Sequence, residues 1–127
     1  MANNQPAEPD ERSESGSQAA SEPCCTAVDH DLTAGQIEND VRMLSAMGNE
    51  TRYEVLRLLD GAGSPVCACD LKPELEVDQS TTSRALKRLY EVDLVDRRKD
   101  GRWRYYSTTD RAETLLAAIE TVRSDDQ

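Results

Sequence analysis

Ile37, Val41 and Leu44 recur at i, i+4 and i+7, an apolar stripe that predicts a first helix over 33–47, ended by Gly48 and Asn49. A second short helix is predicted over 51–59, where Val55, Leu56, Leu58 and Leu59 crowd into a core element before Gly61 and Gly63. Ser64-Pro65 has the form of an N-cap followed by proline at the first helical position. A third helix is therefore expected from there through Cys67, Cys69 and Leu71 to about residue 75. Glu76-Val77 make a short turn. Asp78 then caps a fourth helix that reaches Val92 and buries Ala85, Leu86 and Leu89. Two strands follow, 94–98 and 102–107, hinged on Asp100-Gly101, a strong hairpin signal. A last helix from about residue 110 carries Leu115, Leu116, Ile119 and Val122.

Two helices joined by a short turn, with a β-ribbon behind the second, form a winged helix-turn-helix. The expected fold is mainly α with a small β-hairpin. Gln79, Ser80, Thr81, Thr82 and Ser83 occupy the first turns of the fourth helix. Short polar side chains let a helix N-terminus approach base edges, and Gln can pair bidentately with adenine. Arg84, Lys87 and Arg88 lie one turn on, within reach of phosphates or guanine. Arg98, Arg102 and Arg104 flank the hairpin tip, where a wing meets a phosphate backbone or a minor groove. A solvated amphipathic helix and a charged hairpin would explain either element alone, but not both in this order. Trp103, Tyr105 and Tyr106 are expected to cover the core rather than stack on bases.

A net charge of −10 argues, as a sum, against nucleic acid. Its distribution reverses that reading. Residues 1–31 carry seven acids and one base, whereas 84–104 carry eight bases and four acids. The first 31 residues contain one large aliphatic side chain, Val28, and are rich in Ala, Ser, Glu and Pro. They bury too little apolar surface to offset their ordering entropy, so most are expected to be disordered, leaving 32–124 as the DNA-binding domain. A domain of that size has a small core, which makes dimerisation attractive as extra burial. Twelve Arg against three Lys, no Phe and many acids resemble adaptation to a saline cytoplasm. DNA binding would then have to survive salt that erodes counterion release. No apolar run and no charged-then-apolar leader suggests a membrane span or signal peptide, so a cytoplasmic protein with reduced thiols is expected.

In LSAMGNETRYEVLRLL, PVCACDL, STTSRALKRL and DLVDRRKDGRWRYY, followed by a final helix, the chain resembles the ArsR/SmtB family of metal-responsive repressors. The likeness covers about residues 37–119. It implies a winged-helix homodimer held by its first and last helices, bound to double-stranded operator DNA without a cofactor and released by metal. Three positions depart from the family pattern. Ala85 stands where His often follows Ser-Arg. Asp93 stands where Gly usually closes the recognition helix, although Asp tolerates the left-handed conformation needed there. The last helix has no His, so the resemblance does not extend to a zinc site between last helices.

The cysteines carry the candidate chemistry. Cys67 and Cys69 form a C-x-C at the predicted start of the third helix, and Cys24 and Cys25 an adjacent pair before the folded region. Soft thiolates suit soft ions such as As(III), Sb(III), Cd(II), Pb(II) or Cu(I). The arsenic-sensing branch of the family implies a third thiol three residues on, a position held here by Lys72. On a regular helix Cys67 and Cys69 would point about 200° apart, so sharing an ion requires a distorted first turn. Cys67 is then alternatively a core residue in line with Leu71 and Leu75. A helix N-terminus is expected to lower the thiol pKa. Cys24 and Cys25 are the natural donors of the missing ligands. Three thiolates would serve As(III) or Sb(III); two from each pair would serve Cd(II) or Pb(II). His30, the single histidine, reads as a solvated linker residue. A thiol-redox repressor of the same fold is a further alternative. A small thiol-dependent reductase is one of another class, but it lacks an anion loop and leaves the basic helix and wing unused, so no enzyme is expected.

Overall fold

The computed structural model describes residues 26–71 and 75–125. In chain order these form α1 (Ala34–Met47), α2 (Glu50–Ala62), β1 (Val66–Cys67), α3 (Ala68–Leu71), α4 (Gln79–Glu91), β2 (Val95–Asp100), β3 (Trp103–Thr108) and α5 (Asp110–Asp125). Thr33 opens α1 with a reciprocal cap. Its hydroxyl accepts from Gln36 N at 3.1 Å, and Gln36 Oε1 accepts from Thr33 N at 2.9 Å. Asn49 Oδ1 accepts from Arg52 N at 3.0 Å to start α2. That helix runs through Gly61, whose Cβ position faces open space, and stops at Gly63 with φ 70°.

The expected third helix is not formed from Ser64-Pro65. Val66–Cys67 is instead an edge strand, antiparallel to β3 with Val66 opposite Tyr106 and Cys67 opposite Tyr105, and α3 is a four-residue turn behind it. Proline has no N–H to give to a ladder and a fixed φ, which suits entry to an edge strand as well as entry to a helix. Pairing with a strand distant in sequence decided between them. The sheet order is β1-β3-β2. Asp100 pairs with Trp103, so the hairpin loop is Gly101-Arg102, one residue later than expected. Gly101 has φ 65°, fitting the glycine-first two-residue turn.

The core runs through α2 (Val55, Leu56, Leu59), α4 (Ala85, Leu86, Leu89), the start of the wing (Leu94, Val95), Tyr106 of β3 and α5 (Ala112, Leu116). Asp93 adopts φ 63°, the left-handed conformation anticipated after α4. Its carbonyl accepts from the Thr109 hydroxyl at 2.8 Å, and Thr109 Oγ1 accepts from Ala112 N at 3.2 Å, joining the entry to the wing to the start of α5. Tyr106 is buried and Tyr105 half-buried, but Trp103 is 52% exposed and does not cover the core as expected. It stands at the hairpin tip, opposite Asp100 in the last pair before the turn. The stripe Ile37, Val41 and Leu44 of α1 also faces outward, with Val41 and Leu44 each 57% exposed.

Candidate nucleic-acid interface and thiol pair

Asp78 fixes the start of α4, its Oδ1 accepting from Thr81 N at 2.7 Å. That bond, the Thr81 hydroxyl and the nearby Arg84 guanidinium hold the Asp78 carboxyl below its usual range. The cap leaves Gln79, Ser80 and Ser83 exposed on the first turns and Thr81 half-buried. Thr82 differs from the sequence reading. It is buried, and its hydroxyl donates to Asp78 O at 3.2 Å, which removes it from the exposed face. Arg84 and Lys87 are exposed; Arg88 is half-buried. Arg84 Nη2 donates to Thr81 Oγ1 at 3.3 Å.

The wing alternates. In the β2–β3 register Arg97 is opposite Tyr106 and Arg98 opposite Tyr105, so Arg97 and Arg98 lie on opposite faces of the sheet. Arg97 faces α4, its guanidinium 4.2 Å from the Tyr90 ring centroid. Arg98, like Arg102 and Arg104, is exposed. An open groove of about 740 Å³ lies between α4 and the wing. Gln79, Ser83, Lys87, Arg97, Arg102, Arg104 and Trp103 line it. Arg97 and Trp103 are members that sequence reasoning did not select. The strand period, once the register is known, separates Arg97 from Arg98.

The same groove is lined by Cys67 and Cys69. The two sit on either side of the β1–α3 junction rather than on one helix, and the change of backbone there turns the side chains together. Cys69 donates its thiol hydrogen to Cys67 Sγ at 3.0 Å. Cys67 is half-buried and Cys69 exposed. The bond to Cys67 raises the Cys69 pKa above its ordinary value, with further contributions from desolvation and from Asp70, whose Oδ1 lies 3.9 Å from the sulfur. The expected lowering by a helix N-terminus is thus reversed; a four-residue turn has little dipole to offer. Among the described residues, no group of three or more His, Cys, Asp or Glu gathers to hold a metal ion. Cys24, Cys25 and Lys72 lie outside the described residues. His30 is exposed, its Nδ1 accepting from Leu32 N at 3.1 Å. No helix among the described residues is long and apolar enough to cross a membrane.

Residues 49–97, which span α2 to the first wing strand, match the profile of the family described as bacterial regulatory protein, arsR family. The chain is 47% identical over 109 residues to a putative arsenical resistance operon repressor, ArsR2, of Halobacterium salinarum, covering 84% of this chain and 88% of that one. A second putative arsenical resistance operon repressor of the same organism is 42% identical over 116 residues, 90% of each chain. Among solved structures, NolR from Sinorhizobium fredii superposes with a TM-score of 0.64 at 26% identity, over 74% of this chain and 96% of that one. A homodimeric winged helix-turn-helix DNA-binding domain from Mycobacterium bovis gives 0.66 at 24%, over 79% and 92%, a likeness of fold. Capped reading helix, basic wing and relatives agree: the chain belongs to the ArsR family of DNA-binding transcriptional repressors.

Proposed function

We propose that this chain is a homodimeric repressor of arsenical resistance genes that releases its operator when As(III) or Sb(III) is held by its cysteine thiols. The observation that carries the reading is the Cys67–Cys69 pair, two sulfurs 3.0 Å apart on the surface beside the reading helix. Metal–sulfur bonds of about 2.3 Å place two sulfurs on one ion roughly 3.3–3.8 Å apart, so the pair needs to open only slightly. Cys24 and Cys25, on the segment 1–31, supply the remaining thiolate. The names of the two Halobacterium salinarum relatives favour an arsenical over Cd(II) or Pb(II).

DNA is read by Gln79, Ser80, Thr81, Ser83 and Arg84 of α4, with Lys87, Arg88, Arg98, Arg102 and Arg104 on the backbone. The dimer forms through the exposed α1 stripe and α5. Such a protein works in the cytoplasm, where its thiols stay reduced. Drawing Cys67 and Cys69 onto a shared ion moves the β1–α3 junction, which packs against α4 and β3. The reading helix moves with it. A coupling of about 1–3 kcal/mol lowers operator affinity about 5- to 150-fold.

Anisotropy of labelled promoter DNA under reducing conditions, titrated with arsenite, antimonite and cadmium, tests the reading. Arsenite is expected to release the wild type but not Cys67→Ser, Cys69→Ser or the Cys24→Ser/Cys25→Ser double variant. Equal release from all four would remove the thiols from the mechanism.

A further inference from the structure

The inducer thiols open into the groove between α4 and the wing, and the charge of that groove says what else occupies it. Lys87 comes from the reading helix, Arg97 from β2, Arg102 from the loop and Arg104 from β3; Gln79 and Ser83 add neutral donors. Among the described residues, no carboxylate belongs to the lining. Arg97 is held in place by the Tyr90 ring at 4.2 Å. Four cations and two neutral donors, with no acid among the described lining residues, form a seat for the phosphodiester backbone, in which charge-assisted bonds reach successive phosphates.

We infer that Cys67 and Cys69 line a DNA phosphate seat, so that a metalloid held by these thiols and a backbone phosphate exclude each other within a single protomer. The inference rests on the thiol-inducer reading and adds to it a site of direct competition. On uptake of arsenite, each As–S bond forms as the thiol hydrogen and one hydroxyl of As(OH)₃ leave together as water. The loaded centre is neutral and brings its further ligand into space that the phosphate needs. Release then does not depend on changing the spacing of two reading heads. By reciprocity, bound DNA weakens arsenite uptake by the same factor.

A duplex long enough for only one reading head separates this from a tilt of the dimer. Trp103, the only tryptophan in the chain, lies in the groove wall, and its emission reports occupancy of the site without DNA. The full-length protein is first saturated with arsenite as judged by that emission, then titrated with a labelled half-site duplex and with the full operator over a range of KCl. The expected result is at least tenfold weaker half-site binding. The half-site salt dependence of the loaded protein should also flatten by about 3.6 in log K against log salt, as four phosphate-facing cations lose their partners. Unchanged half-site affinity with the full operator released would overturn the competition and leave the thiol-inducer reading standing. Trp103 emission that responds to arsenite with no release from either DNA would overturn both.

Discussion

Cys69 gives its hydrogen to Cys67 across 3.0 Å, and the raised pKa that results sets how the pair trades protons with an incoming ion. A divalent cation such as Cd(II) must displace a proton from each thiol it binds. Arsenite brings hydroxyls that carry those protons away as water. Cadmium affinity should therefore climb with pH by about tenfold per unit for each proton displaced, whereas arsenite affinity stays nearly level. Because the Cys67 bond favours the protonated form of Cys69, the cadmium slope should persist above neutrality. Titrations followed by Trp103 emission from about pH 6 to pH 8 check this against the reference range of thiols. Parallel slopes for the two ions would mean that the thiols are not the ligands. Sequence could name these two cysteines but not pair them, since helical geometry set them apart. Only the β1–α3 junction brings the sulfurs together.

At the scale of the element, α1 is a helix with its apolar stripe on the outside. Ile37, Val41 and Leu44 are 39%, 57% and 57% exposed. Burying the rest of each recovers roughly 1 kcal/mol, and an isologous pair buries every one twice, for about 6 kcal/mol before α5 contributes. Val41→Glu with Leu44→Glu is expected to give a monomer in light scattering, with the thermal midpoint little changed because both side chains are already outside the core. Operator affinity should fall by at least about 100-fold, since each half-site is then held alone. A double variant that remains dimeric would move the interface elsewhere. The helices α1, α2, α4 and α5 were legible from their apolar periods and, for α4, from Asp78 standing where a cap was needed; Asn49, which reads as the end of α1, caps α2 instead. Val66–Cys67 was not legible. A two-residue strand has no period, and its partner Tyr105-Tyr106 lies almost 40 residues away, so Ser64-Pro65 was the sole local signal and pointed to a helix. The alternation that places Arg97 toward α4 likewise depends on a register fixed only by the Gly101-Arg102 turn.

Charge is the property that belongs to the molecule as a whole. The chain carries −10 in total, yet 84–104 holds eight bases against four acids. Two responses to salt follow, with opposite sign. Repulsion among the acids destabilises the compact state, and a Debye length that shrinks from about 10 Å at 0.1 M to 3 Å at 1 M removes it, so the thermal midpoint should rise with KCl. DNA affinity should fall over the same range as counterions compete for the phosphates. The groove cations alone, Lys87, Arg97, Arg102 and Arg104 in each protomer, contribute about −7 to the slope of log K against log salt for the dimer, and Arg88 and Arg98 steepen it further. Calorimetric melts and anisotropy at matched KCl concentrations measure both. A midpoint that falls with salt would mean that the acids are paired rather than repelling. A slope near zero would mean that the groove cations do not meet phosphate, and that the acidic bulk, not the basic groove, governs the approach to DNA.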